Sequence, residues 1–147
     1  MPMDSKAIVR RLYEEVWNKR KLELVSDLIS PSHALHDNNS SGSSVGPEAY
    51  RAQMAVFLAA FPDLRFTVED IVAEKDKVAA SWTISGTHKA EFWGVRPTNK
   101  KMFLDGITIH HIANGKIIDS YISSDNLGLM RQLGLVPARP ERKSAAR

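Results

Sequence analysis

The 147-residue chain contains no cysteine. That absence excludes a disulfide framework, a thiolate metal site and a cysteine nucleophile, and it accords with a reducing, cytoplasmic setting. Long apolar runs are absent too: nothing approaches the ~18 consecutive apolar residues of a membrane span. The opening segment, Met1-Pro-Met-Asp-Ser-Lys, turns amphipathic at once and lacks an apolar signal-peptide core, so a soluble intracellular protein is expected. Charge of one sign is scarce. The net charge is +3, and Arg139, Arg142, Lys143 and Arg147 cluster near the end of the chain, leaving the rest close to neutral. A solvated basic tail is expected there, not a nucleic-acid-binding arm. There is no phosphate loop, nucleophile elbow, Gly-rich dinucleotide turn or His-x-x-x-His pair, so no metal is expected. What remains is the composition of a globular protein, in a length that suits one domain and is short for two.

Ile8, Leu12, Tyr13, Val16 and Trp17 recur at helical spacing after Asp4 or Ser5, a natural N-cap, and predict a helix ending near Asn18. A shorter helix follows, with Leu24, Val25, Leu28 and Ile29 on one side and a stop at Ser30-Pro31. Residues 37–46 read as a flexible polar loop. Pro47 then opens a third helix whose buried stripe is Tyr50, Met54, Phe57, Leu58 and Phe61. Beyond Pro62 the period falls to two: Leu64, Phe66 and Val68 alternate with polar residues. Val78, Ala80, Trp82, Ile84, Gly86 and His88 take one face of the next strand. Strands 101–112 and 116–124 are joined through Asn114-Gly115, a strong hairpin signal. A last helix, 126–134, ends at Gly134. Helices followed by an antiparallel meander give an α+β order. Residues 1–136 form the domain, and 137–147 read as a disordered tail.

Several side chains in this layout can carry chemistry. Asp125 stands where the last strand yields to the last helix, as an N-cap, as a general acid or base, or as both. His110 and His111 are consecutive on a strand and point to opposite faces. A two-residue turn pairs Ile112 with Ile117 and sets His110 opposite Asp119. This ladder places His110, Thr108 and Leu104 on the face of Tyr121 and Asp125, with His110 inward; a bulge would reverse the choice. His88 shares a face with Trp82 and adjoins Phe92 and Trp93 in a loop, as a pocket rim would. His36 and Asp37 open the polar loop. Tyr13 and Phe57 lie on buried helical stripes.

Phe61-Pro-Asp-Leu, Gly86-Thr-His, Gly94-Val-Arg-Pro-Thr, Asn114-Gly-Lys-Ile and Asp125-x-Leu-Gly-Leu with Gln132-Leu-Gly are the most specific stretches of the chain. With His36-Asp37 and the Gly-Pro-Glu that opens helix 3, they closely resemble the SnoaL-like polyketide cyclases of the NTF2-like superfamily. The resemblance runs from helix 1 to Gly134. It implies a cone, in which a strongly curved antiparallel sheet wraps three N-terminal helices around a pocket. It further implies general acid–base catalysis of an intramolecular aldol closure on a small apolar carbonyl compound, with no cofactor. Asp125 matches the family's catalytic aspartate, and His110 or His111 its histidine. Substrate contacts are expected from Tyr13, His36, Asp37, Phe57, Trp82, His88, Phe92, Trp93 and Tyr121. Ser124 and Tyr121 depart from the family's usual bulky residue and tryptophan, which implies an altered pocket wall. Two other functions fit the same fold: a small-molecule-binding dimer without catalysis, and a ketosteroid-isomerase-like proton transfer using Tyr13, Asp37 and a buried Asp105. A homodimer through the outer sheet face is expected, with no nucleic acid or membrane partner.

Overall fold

A computed structural model describes residues 4–37 and 43–137. Six strands form one curved sheet in the order β2-β1-β6-β5-β4-β3. They are β1 (Ile29–Asp37), β2 (Ser43–Val45), β3 (Arg65–Glu74), β4 (Lys77–Thr87), β5 (Lys101–Ala113) and β6 (Lys116–Ser124). The last four form the expected meander. The mixed α+β cone stands, with departures in its first half.

The first departure is β1. Residues 29–37 are a strand running parallel to β6, so the sheet is mixed rather than purely antiparallel. The second helix is reduced to a 3₁₀ turn, Leu22–Leu24, and one α turn, α2 (Val25–Leu28). Pro31 disguises the strand, because proline cannot donate to a ladder. It is accommodated where the β1–β6 register shifts, between Ile29 and Ala34. The second departure is in helix 1: α1 (Ser5–Arg11) continues as a π-helix over Leu12–Asn18. Such widened turns are uncommon and recur at functional sites. This one turns Tyr13 and Trp17 onto Phe66 of β3, at ring distances of 5.0 and 4.9 Å.

Helix α3 (Gly46–Ala60) begins with Pro47 in its first turn and lies across β1. Helix α4 (Asn126–Gln132) packs beside β5. The core lies between the helices and the concave sheet face, with Ile8, Leu12, Met54, Phe61, Trp82, Met102 and Ile117 buried in it. The β5–β6 hairpin turns through Asn114 and Gly115, both at positive φ, as an Asn-Gly turn of the primed type requires. Among the described residues, no helix is long and apolar enough to cross a membrane. Apart from Pro137, the basic tail lies outside the described residues, as do residues 38–42 of the expected polar loop; its other residues are not loop but the end of β1, the strand β2 and the start of α3.

Candidate active site

The helices and the concave sheet face enclose a cavity of about 420 Å³. Its aromatic walls are Trp17, Phe57, Phe66, Trp82 and Trp93, and its aliphatic walls include Leu35, Ile84, Leu104 and Ile122. The size and apolar lining suit a small organic ligand. Polar groups enter at Asp37, Ser44, Gln53, Ser124 and Asn126. Asp37 is the only ionisable side chain among the described lining residues. It is brought there by β1, where His33, Leu35 and Asp37 alternate along one face.

A smaller chamber of about 50 Å³ adjoins the cavity and shares Trp17, Leu35, Gln53, Phe66, Trp82 and Ile122 with it. Its far end is polar, with Tyr13, Thr108, His110 and Ser120. These groups form a chain. The Tyr13 hydroxyl lies 2.9 Å from His110 Nε2, and His110 Nδ1 lies 2.7 Å from Ser120 Oγ. Ser120 Oγ is also 3.0 Å from His33 Nε2. Both histidines are buried. Burial pushes the pKa of His33 down to about 4, with Asp119 opposing the shift. It pushes His110 to about 3, with His33 and His111 adding to the effect. Burial also raises the Tyr13 phenol well above its ordinary value, while Thr108, as a hydrogen-bond partner, works the other way. The chain is therefore neutral at physiological pH.

Of the expected site residues, the structure brings Tyr13, Asp37, Phe57, Trp82, Trp93 and His110 to these two connected spaces. Trp93 remains 47% exposed at the cavity, stacked on Phe92 with centroids 4.2 Å apart and edge-on to Phe57. Phe92 itself is buried behind that wall and does not line it. His88 is also fully buried away from the cavity, where its Nδ1 accepts the Thr98 N–H at 3.2 Å.

A β-bulge in β6 accounts for where Tyr121 and Asp125 fall. Ile112 pairs with Ile117 as expected, but His111 pairs with Asp119 and His110 with Ser120, so Ile118 is the extra residue. His110 still faces inward, because its strand is unaffected. Beyond the bulge β6 is inverted: Ser120, Ile122 and Ser124 line the two spaces, whereas Tyr121 and Asp125 are exposed. His111 faces outward and hydrogen-bonds Asp119. His36 stacks on Tyr121 in an outer depression with Ile107 and Ile109. Asp125 lies in another shallow outer depression beside Asp105 and accepts the Gly128 N–H at 2.9 Å, capping α4. Asp105 is likewise outward and exposed, accepting the Thr83 hydroxyl at 2.9 Å, so it is not the buried acid of a ketosteroid-isomerase arrangement. Of the two departures from the family pattern, only Ser124 touches the cavity.

Trp17, His33, Ser120 and Gln53 were not foreseen as site residues. For His33 the signal was the alternation His33, Leu35, Asp37, obscured by Pro31.

Comparison with known proteins gives this geometry a family. The family model described as SnoaL-like polyketide cyclase matches residues 7–133. Aklanonic acid methyl ester cyclase AcmA of Streptomyces galilaeus is 30% identical over 129 residues, covering 87% of this chain and 89% of AcmA. The structure of wild-type IdmH from Streptomyces antibioticus superposes with a TM-score of 0.80 at 29% identity, over 90% of this chain and 99% of IdmH. AclR from Streptomyces galilaeus gives 0.82 at 28% identity, over 93% and 89% of the two chains. With a family match over most of its length and a curated relative at this identity, the chain belongs to the SnoaL-like polyketide cyclase family.

Proposed function

We propose that the protein closes a ring in a small apolar dicarbonyl compound, by general acid–base catalysis within the main cavity and with Asp37 as the carboxylate. One observation carries this reading: Asp37 is the sole ionisable group among the described residues of a largely apolar cavity. The Asp37 carboxylate takes a proton alpha to one carbonyl, leaving an enolate. The enolate carbon bonds to a second carbonyl carbon of the same molecule. The resulting alkoxide recovers the proton from the Asp37 carboxyl. The substrate's own carbonyl is the electron sink, so this chemistry calls for no cofactor. The aromatic walls hold the two reacting carbons together and keep water away.

AcmA is a cyclase of aklanonic acid methyl ester, and that ester is the first substrate to test here. Asp37→Asn should lower turnover by ~10²–10⁴-fold, the usual contribution of a positioned base, with the fold retained. Asp125→Asn should leave turnover near wild type, because asparagine caps a helix about as well as aspartate. Turnover that survives in Asp37→Asn and is lost in Asp125→Asn would return the catalytic role to the helix cap.

A further inference from the structure

The inner chamber poses a separate question, because Asp37 lines the main cavity and is not among the chamber's lining residues. His33 and Asp37 stand four residues apart on β1, roughly 13 Å at the rise of an extended strand. Asp37 lines the main cavity and Tyr13 the chamber, so a group held at Tyr13 is not the one that Asp37 deprotonates. Whatever the inner groups bind is a different part of the ligand.

The hydrogen bonds there are strongly constrained. Trp82 Nε1 donates to Thr108 Oγ1 at 2.9 Å. The indole has no acceptor, so the hydroxyl proton of Thr108 is directed elsewhere, and the neighbouring Tyr13 phenol, whose pKa Thr108 lowers, can take it. Ser120 Oγ lies between two imidazole nitrogens, His33 Nε2 and His110 Nδ1. Among the described residues these two nitrogens are the partners found for Ser120 Oγ, so its one proton goes to one imidazole and it accepts from the other. Two neutral arrangements result. In one, Tyr13 donates to His110, and the chain runs through Ser120 to His33. In the other, His33 Nε2–H donates to Ser120, Ser120 donates to His110 Nδ1, and His110 Nε2–H donates to the Tyr13 oxygen. Tyr13 then accepts from His110, and its own proton is available to the chamber. Successive donations polarise each other, which makes that phenol a stronger donor.

We propose that Tyr13 anchors a ketone or ester carbonyl at the far end of the substrate, and that His33 is a positioning residue which, through Ser120 and His110, turns the Tyr13 hydroxyl toward it. The inference rests on the assignment of the cavity to a carbonyl substrate and adds which end of that substrate lies innermost. The chamber size limits the guest: about 50 Å³ holds a carbonyl with its adjacent methyl group, the room of about three waters. Its chemistry limits it further. The one proton on offer selects an acceptor, and with no cation in the chain a carboxylate would lose its hydration uncompensated. The six shared wall residues let the rest of the guest extend into the main cavity.

Acetophenone labelled with ¹³C at its carbonyl is a suitable probe, read by infrared difference spectroscopy on the intact protein. In wild type the carbonyl band should lie below its position in cyclohexane. Tyr13→Phe preserves the ring packed on Phe66. It should return the band to the cyclohexane position and weaken binding about tenfold, the loss of one hydrogen bond. His33→Ala should move the band most of the way back with Tyr13 still present. His33→Gln, which keeps an N–H at similar reach, should restore the wild-type band. The proposal is overturned if wild type binds no acetophenone at millimolar concentration or shows an unshifted carbonyl. It is equally overturned if Tyr13→Phe leaves the band in place, or if His33→Ala matches wild type. Equal loss in His33→Ala and His33→Gln would reject the positioning role. None of these readings needs turnover, so they are independent of whether Asp37 is the base.

Discussion

His33 and His110 are imidazoles whose burial is offset by their hydrogen bonds while they are neutral and costs much more once they are charged. Their folded pKa values, about 4 and about 3, lie below the ordinary value near 6.5. The unfolded chain therefore takes up protons that the folded chain refuses. It follows that stability falls as pH drops below ~6.5, by up to about 1.4 kcal/mol per pH unit for each histidine, and levels off only below the folded values. Above pH ~7 neither residue adds a slope. Urea unfolding of wild type between pH 7.5 and 4.5 should show this decline, and His33→Gln should flatten it by about one proton's worth. Identical pH dependence in the two proteins would mean that His33 titrates normally in the fold. At the same scale, Asp37 and Asp125 show how little residue type alone decides. Both are aspartates at the end of a strand, but one enters an apolar cavity and the other accepts a helix N–H on the outer face.

At the scale of elements, the position of Trp82 depends on a neighbour without a side chain. Its ring lies across Gly106 of β5, where an added Cβ would overlap the indole. Trp82 walls both spaces and fixes the Thr108 proton, so Gly106→Ala should displace it. The expected cost is roughly 2–4 kcal/mol, from forced repacking and the lost indole hydrogen bond. The measurements are chemical denaturation and tryptophan fluorescence, and an unchanged emission spectrum with wild-type stability would refute the account. A glycine inside an apolar strand is itself a sign of such close approach. Much of the rest was equally legible. The alternation of β4, the Asn114-Gly115 turn and the apolar stripe of α3 each follow from one local rule, and the structure obeys them. The bulge at Ile118 was not legible, because a register shift depends on how β5 and β6 fit together and leaves no mark in composition. It moved Tyr121 and Asp125 out of the site and brought Ser120 and Ser124 in. Likewise, the π-helix keeps the apolar spacing of an ordinary helix, so its effect on Tyr13 and Trp17 cannot be read from the pattern. And β1, which supplies both His33 and Asp37, was hidden by a proline that sheets admit only at such irregularities.

For the molecule as a whole, the two faces of the sheet have different fates. The concave face is covered by the helices. On the convex face Phe103, Ile107, Ile109 and Tyr121 are each at least 42% exposed. Ile109 and Tyr121 are cross-strand partners, and Ile107 continues the row on β5. Single exposed apolar residues are ordinary, but a contiguous row across two central strands is the kind of patch that a partner covers. A second copy of the same chain is the simplest such partner, since a two-fold axis through the row sets it against itself. The charged groups nearby do not oppose this: His111 and Asp119 already satisfy each other, and Asp105 is engaged by Thr83. A stable dimer needs about 1,200–2,000 Å² of buried surface in total, which the row and its polar margin would have to supply together. The expected outcome in light scattering at micromolar concentration is a mass near twice 16.4 kDa. Ile107→Glu combined with Ile109→Glu should shift the mass to that of one chain, because two carboxylates would be buried against their own copies without a counter-charge. Both positions point away from the cavity, so circular dichroism and acetophenone binding should survive the change. A wild-type mass of 16.4 kDa under the same conditions would leave the convex face bare and overturn the expectation.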